Sequence, residues 1–292
     1  PQGQNLEVRI EKWDNGNIKV EFQYYRDGGS VVKHGWYKGY DETGNLIDED
    51  TYREGSCVES CEWRKTFGDG SGSSVQQTVD GGFIVTGVDF DNDGVFLLKT
   101  DGQGNEEWRK TFGDGSGGSV QQTVDGGFIV TGYDNDGVFL LKTDGQGNEE
   151  WRNNFGEGVG FSVQQTVDGG FIVSGADGDS YGVLLKTDAQ GNEEWKIIFG
   201  EKSWLSSVQQ AVDDGFIVAG RDGDGDYVLF LLKTDGQGNE EWRKTFGDGS
   251  GSSVQQTVDG GFIVTGYDGD VLLLKTDGQG NEEWRKNFGD GR

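Results

Sequence analysis

The chain has 292 residues, of which 52 are acidic and 25 basic, so its formal net charge is −27. This charge argues against nucleic acid or an anionic membrane surface as a partner, because binding to phosphate groups needs a basic patch. No apolar run approaches the roughly 18 residues of a membrane-spanning helix. Only 32% of the residues are apolar and 54 are glycine, which favours an all-β protein of short strands joined by glycine turns.

The chain contains no methionine and begins at Pro1. We interpret this as the removal of a secretion signal, which predicts an extracellular or cell-surface protein; a trimmed chain is the alternative. Cys57 and Cys61 are the only cysteines. In an exported protein we expect them to form a disulfide, with two free thiols as the alternative.

The first 56 residues differ from the rest of the chain and are predicted to form a separate N-terminal domain. Aromatic and polar residues alternate there around glycine turns. Five residues of the pattern G-x-W-x-x-Y-D-x-x-G occur there, with a different spacing around the tryptophan, namely Gly35, Trp36, Tyr40, Asp41 and Gly44. The segment resembles MORN-like hairpin repeats, which implies a small antiparallel β-hairpin sheet that mediates contacts. Because two hairpins are marginally stable alone, we expect this sheet to dock on another part of the protein.

Residues 57–292 consist of tandem repeats. Tryptophans recur every 42 to 47 residues, at Trp63, Trp108, Trp151, Trp195, Trp242 and Trp284. Between them, each unit contains four short runs separated by Asp/Gly/Asn turns, as in Ser119–Val124, Gly127–Tyr133, Val138–Thr143 and Glu149–Phe155. A period in the forties with four strands per unit is typical of propeller blades. Since SVQQ and FIV each occur five times, we predict a five-bladed β-propeller of four-stranded antiparallel blades.

The recurring tryptophans are interpreted as packing residues between neighbouring blades, because they occupy equivalent positions in every unit. The pattern W-x-x-x-F-G, DGGFIVTG and LLKTDGQGNEEW resembles repeats of secreted and cell-surface prokaryotic proteins, and it is similar to the strand–turn–Trp element of quinoprotein-type propellers. This resemblance covers residues 61–292 and implies the fold. The ligands of a quinone enzyme have no counterpart in the sequence, so no such activity is implied.

The outer tryptophan strand occurs six times, but the inner strands occur only five times. Either the strand at Trp284 completes the last blade and the strand at Trp63 is in excess, or the strand at Trp63 closes the ring and the C-terminal strand is released. An excess strand can pair with the edge of another chain. Trp63, Phe67, Trp284 and Phe288 are therefore candidates for an intersubunit strand in a head-to-tail homo-oligomer. The alternative is that the extra strand widens one blade or links the two domains.

Aspartate-rich turns predict a calcium site. Asp89, Asp91 and Asp93 lie in DFDNDG, and Asp222, Asp224 and Asp226 lie in DGDGD. Carboxylates spaced two residues apart suit a hard cation with oxygen ligands. The alternative is that these aspartates are ordinary turn residues that keep the surface soluble.

Two turns depart from the repeat by carrying large apolar residues, Phe161 in one and Trp204 with Leu205 in the other. They are predicted to contact a glycan or a partner protein, with local packing as the alternative.

No catalytic constellation stands out, because most acidic residues recur in every unit and catalysis needs distinct groups in distinct environments. We therefore expect a non-catalytic protein. The leading hypothesis is an extracellular structural protein that assembles into a filament or surface layer by strand exchange or addition between subunits. The second is a monomeric calcium-dependent adhesin or lectin-like module.

Overall fold

The computed structural model describes residues 7–15, 17–27, 30–41, 43–44, 46–53, 56–57, 65–223 and 225–289. In this part of the chain no helix is long and apolar enough to cross a membrane. The chain divides into two compact units, residues 1–66 and 67–292. The boundary lies later in the chain than residue 56, where the change in composition placed it.

The N-terminal unit contains one five-stranded antiparallel sheet whose strands follow one another in chain order. Its strands are β1 (Glu7–Lys12), β2 (Ile18–Asp27), β3 (Ser30–Tyr40), β4 (Leu46–Arg53) and β5 (Ser56–Cys57). Phe22 and Tyr24 are buried, and their ring centroids lie 5.9 Å apart. The indole N–H of Trp13 donates to the carbonyl oxygen of Tyr40 at 3.2 Å. This hydrogen bond links the turn that follows β1 to the end of β3.

The second unit contains five four-stranded antiparallel sheets, named repeat sheets 1 to 5 in chain order. Repeat sheet 1 contains β6 (Gly70–Gln77), β7 (Phe83–Asp89), β8 (Gly94–Thr100) and β9 (Glu106–Asp114). Repeat sheet 2 contains β10 (Ser116–Gln122), β11 (Phe128–Asp134), β12 (Gly137–Thr143) and β13 (Glu149–Asn154). Repeat sheet 3 contains β14 (Gly158–Gln165), β15 (Phe171–Asp177), β16 (Tyr181–Thr187) and β17 (Glu193–Glu201). Repeat sheet 4 contains β18 (Ser203–Gln210), β19 (Phe216–Asp222), β20 (Val228–Thr234) and β21 (Glu240–Asp248). Repeat sheet 5 contains β22 (Ser250–Gln256), β23 (Phe262–Tyr267), β24 (Val271–Thr276) and β25 (Glu282–Phe288).

The all-β repeat architecture is as expected, but the prediction of a five-bladed propeller with a small MORN-like hairpin sheet is wrong. The described residues form six separate antiparallel sheets, one in the N-terminal unit and five in the second unit. The N-terminal segment forms a five-stranded sheet instead of a pair of hairpins. Counting the tryptophan repeats could not reveal this sheet, because its strands carry no copy of the repeated sequence.

The turns of each repeat sheet are closed by aspartate side chains. In the DGQGN turn of repeat sheet 2, the Asp144 carboxylate accepts hydrogen bonds from the backbone N–H groups of Gln146 and Asn148, at 2.9 and 2.8 Å. Gly147 follows with a φ of 75°, a left-handed conformation that glycine adopts without steric cost. The same turn recurs at Asp101, Asp188, Asp235 and Asp277. The sequence thus sets the strand boundaries through local hydrogen bonds.

The core lies between successive repeat sheets. Ile129 and Leu140 on one face of repeat sheet 2 pack with Phe171 and Val173 of repeat sheet 3. β12 is buried along its whole length, since both of its faces are covered. This explains why the FIV and VFLL segments are continuous apolar runs instead of alternating ones. We call the face toward the next repeat sheet the forward face and the opposite one the back face.

Candidate functional site

Each interface between neighbouring repeat sheets is built around one tryptophan and one phenylalanine. Trp108 on the outer strand of repeat sheet 1 packs against Phe128 of repeat sheet 2, with ring centroids 5.8 Å apart. The three later interfaces repeat this contact with the pairs Trp151–Phe171, Trp195–Phe216 and Trp242–Phe262. The forward face supplies the tryptophan and the back face supplies the phenylalanine, so every interface joins two different surfaces.

The SVQQ segments join the innermost strands of neighbouring sheets by hydrogen bonds. The N–H of Val120 donates to the Ser74 hydroxyl at 3.2 Å, and the N–H of Gln122 donates to the Gln76 side-chain oxygen at 2.6 Å. The side-chain oxygen of Gln122 in turn accepts from the N–H of Val79 at 2.9 Å. Inner strands are edge strands, whose outward N–H groups need acceptors. The recurrence of SVQQ therefore has a structural cause.

A buried lysine joins two acidic residues in every repeat sheet. In repeat sheet 2 the Lys142 ammonium lies 3.0 Å from the Asp125 carboxylate and 2.9 Å from the Glu150 carboxylate. Partial burial alone would raise the pKa of Asp125, but hydrogen bonds from the Thr123 hydroxyl, the Gly127 N–H and Lys142 lower it to about 2. The same lysine recurs at Lys99, Lys186, Lys233 and Lys275. Because these ion pairs occur in all five repeat sheets, we interpret them as structural.

The forward face of repeat sheet 5 is uncovered. Val271 is 59% exposed, whereas Val95 and Leu229 at the same position in repeat sheets 1 and 4 are 0% exposed. Trp284 and Phe288 on β25 are also exposed, although the corresponding tryptophans of the earlier sheets pack on a neighbour. This face has the composition of an interface, and no other repeat sheet covers it.

The back face of repeat sheet 1 is uncovered at its inner strand. Val75 is 64% exposed, whereas Val120 and Val254 at the same position in repeat sheets 2 and 5 are 5% and 6% exposed. Phe83 and Val85 of this face are partly exposed, and their counterparts in the other repeat sheets are buried. The repeat array thus ends in two apolar surfaces, one of each kind, which we call the end faces.

The described residues form no SVQQ hydrogen bonds at the same two ends. At the internal interfaces, the N–H groups at the positions of Val75 and Gln77 donate to a Ser and a Gln side chain of the preceding repeat sheet. In repeat sheet 5, Ser253 and Gln255 hold the positions of these acceptors. Within the described residues, these four groups form none of the SVQQ bonds found at the four internal interfaces. The end faces are therefore complementary in hydrogen bonding as well as in apolar surface.

The structure places the predicted intersubunit strand residues differently at the two ends. β25 carries Trp284 and Phe288 and pairs with β24 of its own sheet, in register Trp284–Lys275 and Phe288–Val271. All seven of its residues are exposed. Phe67 is not in a strand, and its carbonyl oxygen accepts a hydrogen bond from Arg109 at 2.7 Å.

At the last interface, Arg285 donates to the carbonyl oxygen of Phe246 in the outer strand of the preceding sheet. Phe67 therefore lies next to the back face of repeat sheet 1, at the position that an outer-strand residue of a preceding sheet would occupy. Trp63 lies outside the described residues.

The predicted calcium ligands are engaged in other contacts or lie apart. Asp89 is buried and accepts hydrogen bonds from the N–H groups of Asp91 and Asn92. Asp222 pairs with Arg243 at 2.6 Å. Asp93 and Asp226 lie on exposed turns, and Asp224 lies outside the described residues. The described residues contain no group of three or more His, Cys, Asp or Glu side chains arranged to hold a metal ion, and calcium binding stays a prediction.

The aromatic residues that depart from the repeat sequence lie next to each other. Phe161 and Trp204 are stacked with ring centroids 5.3 Å apart and an interplanar angle of 17°. The guanidinium carbon of Arg221 lies 4.8 Å from the Trp204 ring centroid and 4.1 Å from that of Tyr227. Leu205 does not join this group, because it is fully buried in the core between repeat sheets 3 and 4.

The predicted disulfide is not described by the structure. Cys57 is the last residue of β5, and Cys61 lies outside the described residues.

Sequence reasoning missed Arg221 and the uncovered end faces. Arg221 occupies a position held by valine, tyrosine or alanine in the other repeat sheets, so an alignment of the repeats could have revealed it. The end faces carry the same sequences as the internal interfaces, and only their exposure distinguishes them.

Comparison with known proteins supports the fold alone. No protein-family model and no curated protein matches this chain. A protein of unknown function from Bacteroides caccae is similar in structure, with 13% identity and a TM-score of 0.56 over 98% of this chain and 94% of that one. The C-terminal WD40 domain of Sif2 is similar with 14% identity and a TM-score of 0.53, over 92% of this chain and 67% of that one. These likenesses, together with the tandem four-stranded sheets, support a propeller fold.

Proposed function

We propose that this protein is a non-catalytic structural subunit that assembles head to tail. In this assembly the forward face of repeat sheet 5 in one copy docks on the back face of repeat sheet 1 in the next. The observation that carries the proposal is the exposure of Val271 and Val75 in the two end sheets, at positions that are buried wherever a neighbouring sheet is present.

The two end faces fit each other because they are the two halves of an interface that the chain already forms four times. Docking would bury Val75 and Phe83 of one copy against Ile263 and Val271 of another. It would also supply Ser253 and Gln255 as acceptors for the unused N–H groups of the inner strand. Since the two faces differ, the contact is heterologous, and such contacts propagate into filaments when they do not close into rings.

Strand exchange between two copies would occur at the outer strand of this new interface. Phe67 of one copy and β25 of the other both fit the same outer position, so docking requires one of the two segments to move. β25 buries none of its side chains, so its release costs little apolar burial. We propose that the segment preceding Phe67 pairs with β24 of the neighbouring copy in place of β25.

The proposal places these assemblies outside the cell, as a filament or a surface layer. Its support there is the resemblance of the repeats to secreted and cell-surface proteins, together with the high acidic charge that keeps an exposed surface soluble. The proposal includes no reaction, because most acidic residues recur in every repeat, and those of the turns and the lysine ion pairs are engaged in structural contacts.

Light scattering coupled to size-exclusion chromatography, followed by negative-stain microscopy, tests the proposal. The unaltered protein is expected to form concentration-dependent oligomers with a regular repeat, and Val271→Asp is expected to be monomeric. Val258→Asp is the matched control, since Val258 is exposed in a turn whose valines are exposed in every repeat sheet. A protein that stays monomeric at every concentration would overturn the proposal.

A further inference from the structure

One cleft on the repeat array departs from the repeat in several residues at once. It is lined by Phe161, Trp204, Ser206, Arg221, Ser250 and Ser252, and its volume is ≈ 260 Å³. Its residues come from repeat sheets 3, 4 and 5, and none belongs to the end faces. We propose that this cleft binds one carboxylated sugar residue of an acidic glycan.

The aromatic residues are placed in the cleft by the inner strands. Phe161 is the extra residue of a β-bulge between Gly160 and Ser162. A bulge changes the direction in which its side chain points. The corresponding bulge residues in the other sheets are small, namely Ser73, Gly118, Ser206 and Ser252. An aromatic residue at this position is therefore specific to repeat sheet 3.

Trp204 shows the same kind of departure in the adjacent repeat sheet 4. It pairs with Arg221 across the strands β18 and β19. The corresponding residues are Ser71, Ser116, Val159 and Ser250. Phe161, Trp204, Arg221 and Tyr227 form a continuous column, with successive separations of 5.3, 4.8 and 4.1 Å. Stacking holds the Arg221 guanidinium in place while leaving its N–H edge free for a ligand.

Arg221 has no acidic partner in the described part of the chain, where it forms neither a hydrogen bond nor an ion pair. This is unusual in a protein with a net charge of −27. The adjacent Asp222 is already paired with Arg243, with which it makes hydrogen bonds of 2.6 and 2.7 Å, and it also accepts from the Ser203 hydroxyl. The carboxylate next to Arg221 in sequence, that of Asp222, is thus paired with Arg243, and the positive charge of Arg221 is available to a ligand.

The side chains that line the cleft indicate the chemical class of the ligand. Aromatic surface packs on the C–H face of a sugar ring, and the guanidinium edge matches a carboxylate with two parallel hydrogen bonds. The hydroxyls of Ser206, Ser250 and Ser252 can donate to or accept from sugar hydroxyls. The cleft is smaller than the usual 300–1,000 Å³ of a drug-sized pocket, which suits a single ring. The acidic surroundings disfavour densely charged polyanions such as nucleic acid.

Isothermal titration calorimetry with a galacturonic acid trisaccharide and its methyl ester tests this proposal. The unaltered protein is expected to bind the acid at least about tenfold more tightly than the ester, because a hydrogen bond to a charged group contributes more than one to a neutral group. Arg221→Tyr, which introduces the residue found at the same position in repeat sheets 2 and 5, is expected to abolish this difference. Trp204→Ser, which introduces the residue found in repeat sheet 5, is expected to weaken binding of both sugars.

Tyr133→Ala is the matched control, because Tyr133 holds the Arg221 position in repeat sheet 2 and is expected to leave the affinity unchanged. Thermal melting of each variant shows that it is folded. No binding of the acid at millimolar concentration, equal binding of acid and ester, or full binding by Arg221→Tyr would each overturn the proposal. None of these results depends on whether the protein assembles.

Discussion

The ring of Trp242 packs on the ring of Phe262 in the next repeat sheet, with centroids 6.0 Å apart. One repeat later, Trp284 packs on no phenylalanine of the described residues and is 42% exposed. The same side chain thus has two roles that depend only on its place in the array. Inside the array it holds two sheets together, and at the end it lies exposed on β25, the strand that the proposed docking displaces.

Removing the two tryptophans should therefore have unequal effects on the monomer. Trp242→Ala is expected to reduce the free energy of unfolding by about 3 kcal/mol, because it leaves a gap between two packed sheets. Trp284→Ala is expected to cost less than about 1 kcal/mol, the range for exposed positions. Urea unfolding at low protein concentration measures both. Equal losses would show that Trp284 is packed in solution.

The buried lysines are expected to stabilise each repeat sheet. Lys142→Met keeps the volume of the side chain but leaves the carbonyl oxygen of Thr143 without its donor, and should reduce the free energy of unfolding by about 2 kcal/mol. Lys286→Met on the exposed strand β25 is the control and should change it by less than about 0.5 kcal/mol. The same urea titration compares the two, and an unchanged midpoint for Lys142→Met would contradict the structural role of the lysine.

The protein should lose stability in acid between about pH 4 and pH 2. Hydrogen bonds from Thr257, Gly261 and Lys275 lower the pKa of Asp259 to about 2. Asp125 is held at a similar value. A carboxyl whose pKa is lower in the folded than in the unfolded protein stabilises the fold above its unfolded pKa, and this contribution disappears as the pH falls through the folded pKa.

Urea midpoints measured at pH 7, 4.5, 3 and 2 check this dependence. They should change little down to pH 4.5 and fall steeply below it. Asp125→Asn should be less stable at pH 7 and should show a shallower dependence. A constant midpoint down to pH 2 would contradict the ion pairing.

The amino-acid sequence was sufficient to predict the all-β repeat architecture, since the turns carry aspartate and glycine at fixed positions and the strands between them have a clear composition. It was insufficient for the number of sheets, because β1–β5 share no repeat with the rest. The exposed end faces could also not be predicted from the sequence. Val271 and Val95 are the same residue type in similar sequence, and only the presence of a neighbouring sheet decides which one is buried.

The candidate cleft shows a similar limit. Phe161 and Trp204 were recognised as departures from the repeat, but their stacking depends on a β-bulge and on the packing of two neighbouring sheets. Leu205 was grouped with them by its position in the chain, yet strand alternation turns its side chain into the core. Arg221 was missed because it lies on a different strand from the aromatic residues.

A single turn offers a test of backbone strain. Asp214 has a φ of 67°, where the other repeat sheets have Gly81, Gly126, Gly169 and Gly260. Because this conformation is unfavourable for residues with a Cβ atom, Asp214→Gly is expected to raise the free energy of unfolding by up to about 1 kcal/mol. Gly126→Asp is the reverse change and should lower it. Thermal melting of both variants checks the sign, and a destabilised Asp214→Gly would contradict the argument.

The most direct test of head-to-tail assembly mixes two variants that each lack one end face. Val271→Asp keeps the back face of repeat sheet 1, and Val75→Asp keeps the forward face of repeat sheet 5. Each variant alone is expected to be monomeric by light scattering, and an equimolar mixture is expected to form a one-to-one heterodimer that grows no further. Two variants that stay monomeric when mixed, or a single variant that forms filaments alone, would contradict the account.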